Sequence, residues 1–191
     1  MAVLEHPPAD LRAFPRRNLR RSVELHRIHP VGLAPWWFSS DGNGRFDQEP
    51  PGGTCSLAAS PVGAFIEVFR DFTFVDAADV AARRISRVHV PHDAVLADCT
   101  SARARGFGVT AAVHSTPEYG TTHAWAAALR QGGFDGVRDF CGHDPSQRQV
   151  GIAVFGGAGE AAFPVIDTVQ LDDTVLLEVE RRFGIHVLPA P

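Results

Sequence analysis

Two side chains carry the chemistry this sequence offers: Arg45, set in the glycine-rich run GNGRFD, and Glu67, which follows a proline-initiated apolar stretch, SPVGAFIEV. An arginine beside glycine suits an anionic ligand, because its planar fork meets phosphate oxygens in pairs and the glycine lets backbone approach closely. A carboxylate on a helix rim can stabilise positive charge that develops on a substrate. Other chemistries are less well served. His89 with His92, and Cys141 with His143, are the nearest approaches to metal-ligand pairs, and neither has a second pair at zinc spacing, so no metal is expected. There is no G-x-S-x-G elbow for a serine hydrolase. The glycines of GNG and GGAG lack the lysine and the strand-to-helix setting of a phosphate-binding loop.

The elements that must position these residues follow from local pattern. Ser60 and Pro61 are an N-cap and first helical residue, and Ala64, Phe65, Val68, Phe69 and Phe72 fall on one helical face, with Glu67 at its rim beside Ala64. A solvated Glu67 paired with Arg70 or Arg103 is the alternative. Ahead of this helix, SSDGNGRFD has turn chemistry, and Thr54 to Ala58 makes a short strand. Ser22 to Ile28 alternates inward-pointing Val23 and Leu25 against charged neighbours, as a half-buried strand does, with Arg27 near its end. Strands are also expected at RRISRVHVP, AVLADCT, FDGVRDF, VGIAVFG and FPVIDTVQL, the third and fourth of these pairing as a hairpin across the turn CGHDPSQR. Helices are expected from Thr121 to Gln131, stopped by Gly132 and Gly133, and from the N-cap Asp172 to Gly184. Alternating elements imply one α/β (α+β) domain, residues 22–191, preceded by an arm, residues 1–21, that lies over it or is partly free.

At 191 residues, 45% hydrophobic and 21% charged, the chain can bury a substantial core. A net charge of −4 argues against a surface built for nucleic acid. Arg16, Arg17, Arg20 and Arg21 could touch nucleic acid, but a solvated or interface-forming arm is the favoured reading. Three cysteines without paired spacing suit reduced thiols in the cytoplasm. The N-terminal run has prolines and charges where a signal peptide needs apolar residues, and no later segment is long enough for a membrane span.

The series HRIHP, GNGRFD, CSLAASPVGAFIEV and GFDGVRDFCGHDPSQRQVGIAVFG, in this order from Val23 to about Gly157, resembles the RES-domain family. The resemblance implies an ADP-ribosyltransferase-like fold with mixed or antiparallel sheets and flanking helices. It further implies a toxin that consumes NAD, as a glycohydrolase or a phosphorylase with phosphate as co-substrate, and that a cognate antitoxin protein neutralises. NAD is then a substrate, and no cofactor is implied. Residue by residue, the family's motif arginine falls on Arg45, its helix glutamate on Glu67 and its early strand arginine on Arg27. Ser56 stands where a tyrosine is usual, Cys141 where a serine is, and Gly142 where an arginine is common. Breaking the nicotinamide–ribose bond builds oxocarbenium-like charge on the sugar, which Glu67 would face, while nicotinamide leaves neutral and needs no general acid. Arg45 and Arg27 would grip the diphosphate or the attacking phosphate, with Ser56 and Cys141 as small polar contacts. Phe46, Trp37 or Tyr119 could supply an aromatic surface in place of the tyrosine. A non-catalytic nucleotide- or partner-binding protein, transfer of ADP-ribose to a macromolecule, and a homodimer are alternatives that these residues leave open.

Overall fold

The computed structural model describes residues 4–70 and 72–189. The strands are β1 (Arg16–Leu19), β2 (Leu25–Pro30), β3 (Trp37–Phe38), β4 (Gly52–Ala58), β5 (Phe74–Asp76), β6 (Arg83–Val88), β7 (Ala94–Asp98), β8 (Gly136–Phe140), β9 (Val150–Gly157), β10 (Gly159–Glu160), β11 (Val165–Val169) and β12 (His186–Leu188). The helices are α1 (Pro61–Val68), α2 (Ala77–Ala81), α3 (Ala112–Ser115), α4 (Gly120–Gln131) and α5 (Asp173–Phe183), with a 3-10 turn at Ala102–Phe107. Eight strands form one mixed sheet in the order β1-β7-β8-β9-β4-β2-β6-β11. Only β7 and β8 run parallel; the other neighbours are antiparallel. β8 and β9 form the expected hairpin. The mixed α/β single domain with flanking helices is the fold class the alternating pattern indicates.

Period-2 alternation sorts the strand residues onto two faces. One face carries Leu25, Cys55, Leu57, Val88, Leu96, Ile152 and Val154, covered by Trp36, Phe38 and Phe163. The other face carries helices in two separate clusters. Over β7, β8 and β9, α4 packs Trp125, Ala126 and Leu129 against Ala97, Val137 and Ala153. Over β2 and β6, α1 and α5 pack Phe65, Ile66 and Val179 against Ile28 and Ile85. Between the two clusters the sheet is uncovered, and there β4 and β2 are joined through a single residue pair, His26 with Ala58, against seven along β4 and β9. The splayed seam and the gap between helix clusters coincide.

Three expectations change. The segment before Ser22, expected as an arm, is built into the domain over its described part: β1 extends the sheet edge, Leu4, Leu11 and Phe14 join the α4 cluster, and the Trp125 indole donates to the Glu5 carbonyl at 2.8 Å. Its few apolar residues join one cluster with α4 and the strands beneath it without a repeating period of their own, so periodicity could not find them. Arg16 lies over the Phe134 ring at 4.6 Å, and Arg20 pairs with Asp93. Phe72, placed on the buried α1 stripe by its spacing, is 59% exposed, because the helix ends at Val68 and its period no longer applies beyond that point. Val23, expected to point inward, is exposed because β2 begins only at Leu25.

Candidate functional site

The gap between the two helix clusters forms a cleft of about 320 Å³, within the range of small-molecule sites. Its floor is made of small residues on the helical face: Ser56, Ala58, Gly151 and Ala153. These strands leave room where larger side chains would fill the sheet face. Its walls are charged: Glu67 and Arg70 from the end of α1, Arg45 from the loop before β4, and Asp139 from β8.

Glu67 sits there because Ser60 caps α1, accepting a hydrogen bond from Gly63 N–H at 2.9 Å, and Pro61 starts it, so the buried stripe turns the Glu67 rim toward the gap. One carboxylate oxygen accepts the Gly142 N–H at 2.8 Å; the other lies 3.9 Å from Arg45 Nη2. The expected alternative is a solvated glutamate paired with Arg70 or Arg103; in the fold Glu67 meets the Gly142 N–H and Arg45.

Arg45 is held by a ladder of turn contacts. Asp47 accepts from Gly44 N–H and the Ser39 hydroxyl, Asp41 accepts from Asn43 N–H and Ser39, and His123 Nε2 meets the Gly44 carbonyl at 2.8 Å. The guanidinium itself is 8% exposed, and Nη1 donates to Asp139 Oδ2 at 2.9 Å. Burial works against its charge, yet Asp139 and Glu67 together raise its pKa above the ordinary value, so it stays a cation. Burial lifts the Asp139 carboxyl to about 7, with Arg45 pulling it down and Glu67 adding to the rise. His114, buried and facing Arg45, falls to about 4 and is neutral, accepting the Phe140 N–H on Nδ1.

The raised Asp139 pKa has a stability consequence. Its folded value, about 7, exceeds the ordinary 3.8, so between these values the folded state holds a proton that the unfolded state releases. Stability from this group is therefore full below the lower value, declines as pH rises through the window, and is level above about 7. The charged or titratable groups facing it are Arg45, Glu67, Cys99 and Cys141, with His114 beyond Arg45. Denaturant midpoints of wild type and Asp139→Asn across that window should converge toward, or move in favour of, the variant as pH rises; a gap that does not vary with pH would contradict the assignment.

The other expected residues are distributed unevenly. Ser56 is exposed on the cleft floor. Phe46 borders the cleft but is 4% exposed and packs in the α4 cluster, with its carbonyl accepting the Thr54 hydroxyl. Arg27 borders the cleft at β2, yet it shares the strand face of Leu25, and Nη1 donates to the carbonyls of Pro35 and Trp37 and to Cys55 Sγ on the opposite face of the sheet. Cys141 is 1% exposed, joins the α1 cluster and directs its thiol to the Gly63 carbonyl; burial raises its pKa far above that of a free thiol. Cys55 and Cys99 are likewise buried thiols with raised pKa values, and all three are unpaired. Trp37 is not on the cleft wall, whereas Tyr119 reaches it indirectly, its hydroxyl accepting from Arg70 Nη1 at 2.8 Å.

Asp139 and Arg70 were not singled out as site residues from the sequence. The signal available for Asp139 was an acidic residue inside a strand whose alternation with Val137 puts it on the buried face. Among the described residues, no group of three or more His, Cys, Asp or Glu side chains is arranged to hold a metal ion, and no helix is long and apolar enough to cross a membrane.

A family model for the RES domain matches residues 24–175. This chain belongs to the RES-domain family. Among solved structures, a chain of the M. tuberculosis MbcT–MbcA toxin–antitoxin complex superposes with a TM-score of 0.64 at 18% identity, covering 86% of this chain and 92% of that one. At that identity the likeness establishes the shared fold. No curated protein matches the chain. The RES-domain match spans the sheet from β2 to β11 and every residue of the cleft named above. Within this family, then, the chain is one with serine on the cleft floor, a buried Cys141 and glycine at position 142.

Proposed function

We propose that this RES-domain protein cleaves NAD at the nicotinamide–ribose bond, with water or phosphate accepting the sugar, and that it acts as the toxin of a toxin–antitoxin pair. The observation that carries the reading is Glu67, a carboxylate presented to a nucleotide-sized cleft and held by a backbone N–H and an arginine. As nicotinamide departs with the bonding electrons, positive charge spreads over the ribose ring oxygen and anomeric carbon, and a fixed anion there lowers the barrier more than it aids ground-state binding. The shallow floor at Ser56, Ala58, Gly151 and Ala153 admits a flat ring or a sugar. For the diphosphate, Arg70 is the better-placed cation, since it lines this cleft and the adjoining cavity beside Phe72 and Arg148. The toxin assignment is supported by family membership and by the likeness to a chain from a toxin–antitoxin complex; its partner is then an antitoxin protein.

Incubating the folded protein with NAD, with and without phosphate, and following nicotinamide release tests the chemistry. Release accompanied by ADP-ribose indicates hydrolysis, and release dependent on phosphate indicates phosphorolysis. Binding of NAD without any product would reject the enzyme and leave a nucleotide-binding protein. Arg70→Ala is expected to raise the KM for NAD about 30-fold while kcat stays within about threefold, because a charged contact to a non-reacting part of the substrate is lost equally in ground and transition states. An unchanged KM would remove Arg70 from the diphosphate site. Expression in cells should deplete NAD and arrest growth, and loss of Glu67 should abolish both effects.

A further inference from the structure

The arginine of the glycine-rich loop has both terminal nitrogens turned toward carboxylates. Nη1 is 2.9 Å from Asp139 and Nη2 is 3.9 Å from Glu67, and Nε is buried with no hydrogen-bond partner among the described residues. A phosphate approaching this fork would meet Nη1 already bonded to Asp139 and Nη2 already facing the negative charge of Glu67. Asp139 in turn stands in a space made for it: β9 places Gly151 directly opposite, where a Cβ would come within 2.5 Å of Asp139 Oδ1. The end of the same strand leads to Gly142, whose N–H binds the remaining oxygen of Glu67 at 2.8 Å. Both oxygens of Glu67 are thus oriented from one strand end, one directly and one through Arg45.

From this geometry we propose that Asp139 is a positioning residue which, by fixing the Arg45 guanidinium, holds the Glu67 carboxylate at the place where the sugar's positive charge develops. Arg45 is then an orienting group, and the diphosphate falls to cations elsewhere on the wall. Neither Asp139 nor Arg45 transfers a proton or touches the leaving nicotinamide. Asp139→Asn keeps the shape and one acceptor oxygen but loses the charge that, with the carboxylate ionised above about pH 7, aligns the fork, so at such pH Glu67 loses its fixed position while the substrate-binding surfaces stay in place.

The kinetic test rests on the NAD-cleaving reading. For Asp139→Asn, kcat should fall about 100-fold with the KM for NAD within about threefold. Val137→Ala, one turn of the pleat away and in the α4 cluster, should keep kcat at a comparable loss of thermal stability. A raised KM with unchanged kcat, a wild-type kcat in Asp139→Asn, or an equal loss in Val137→Ala would each overturn the proposal. A second readout needs no substrate. In nitrogen NMR of arginine-labelled protein, with the Arg45 signals assigned from Arg45→Lys, the two Nη resonances of Arg45 should be distinct in wild type and in Val137→Ala. They should merge in Asp139→Asn, where rotation of the guanidinium is released. Merged resonances in wild type, or distinct ones in Asp139→Asn, would overturn it. Absence of NAD turnover in wild type, with the NMR pattern as expected, would instead reject the NAD reading and retain the Asp139–Arg45–Glu67 arrangement.

Discussion

Replacing Glu67 by Gln lowers kcat for nicotinamide release by about 1,000-fold, the scale at which a preorganised electrostatic group facing a developing charge contributes. Gln keeps the length and one acceptor for the Gly142 N–H, so the fold should hold, but it carries no charge to oppose the oxocarbenium-like sugar. The side chain is 30% exposed and α1 is anchored by Phe65 and Ile66, so no core contact is lost. KM should change little, because the positive charge moves from the nicotinamide to the sugar that Glu67 faces only as the bond breaks. The measurement is nicotinamide release under saturating NAD, beside a thermal melt that establishes folding. Turnover within about tenfold of wild type would remove Glu67 from the chemistry.

Gly142→Ala disables the same site from the backbone. A Cβ at this position would run into the carbonyl oxygen of His114 and the Nη2 nitrogen of Arg45. The first is main chain and the second belongs to a guanidinium whose Nη1 is tied to Asp139, so neither can yield cheaply. Overpacking of this kind typically costs about 1–3 kcal/mol, and the shift also moves the N–H that orients Glu67. The expected result is a lower denaturant midpoint together with a kcat reduced about 100-fold. Wild-type stability with wild-type turnover would show that the turn after β8 has slack that its contacts do not suggest.

Much of the frame was legible before any tertiary contact. The Ser60–Pro61 start of α1, the Asp172 cap and Gly184 stop of α5, and the β8–β9 hairpin all rest on local chemistry, namely a side chain satisfying an orphan N–H, a left-handed residue ending a helix, and apolar runs split by a turn. The N-terminal segment was not legible in this way, because its buried residues Leu4, Leu11 and Phe14 follow the contour of α4 and not a period of their own. The end of α1 was overrun for the opposite reason: Phe72 continues the period although the helix has already stopped.

For the site, sequence alone marked which residues could do chemistry and, through the family's motif order, placed the chain in the RES-domain family. Arg45 and Glu67 were marked by residue type, by neighbouring glycine and by position on a helix rim. Tertiary structure decided which partners each of them meets, because those partners come from distant parts of the chain. Arg27 matches a motif position and Cys141 stands where the motif has serine, but both lie with their polar atoms away from the cleft, since strand alternation turns the Arg27 fork to the far face and helix α1 covers Cys141. Asp139, far along the chain from Arg45, meets it at 2.9 Å only because β8 and the loop before β4 are brought together across the sheet. A local pattern specifies the face and the rim on which a charge stands; the counter-charge that sets its orientation comes from packing, and one linear sequence carries no record of that distance.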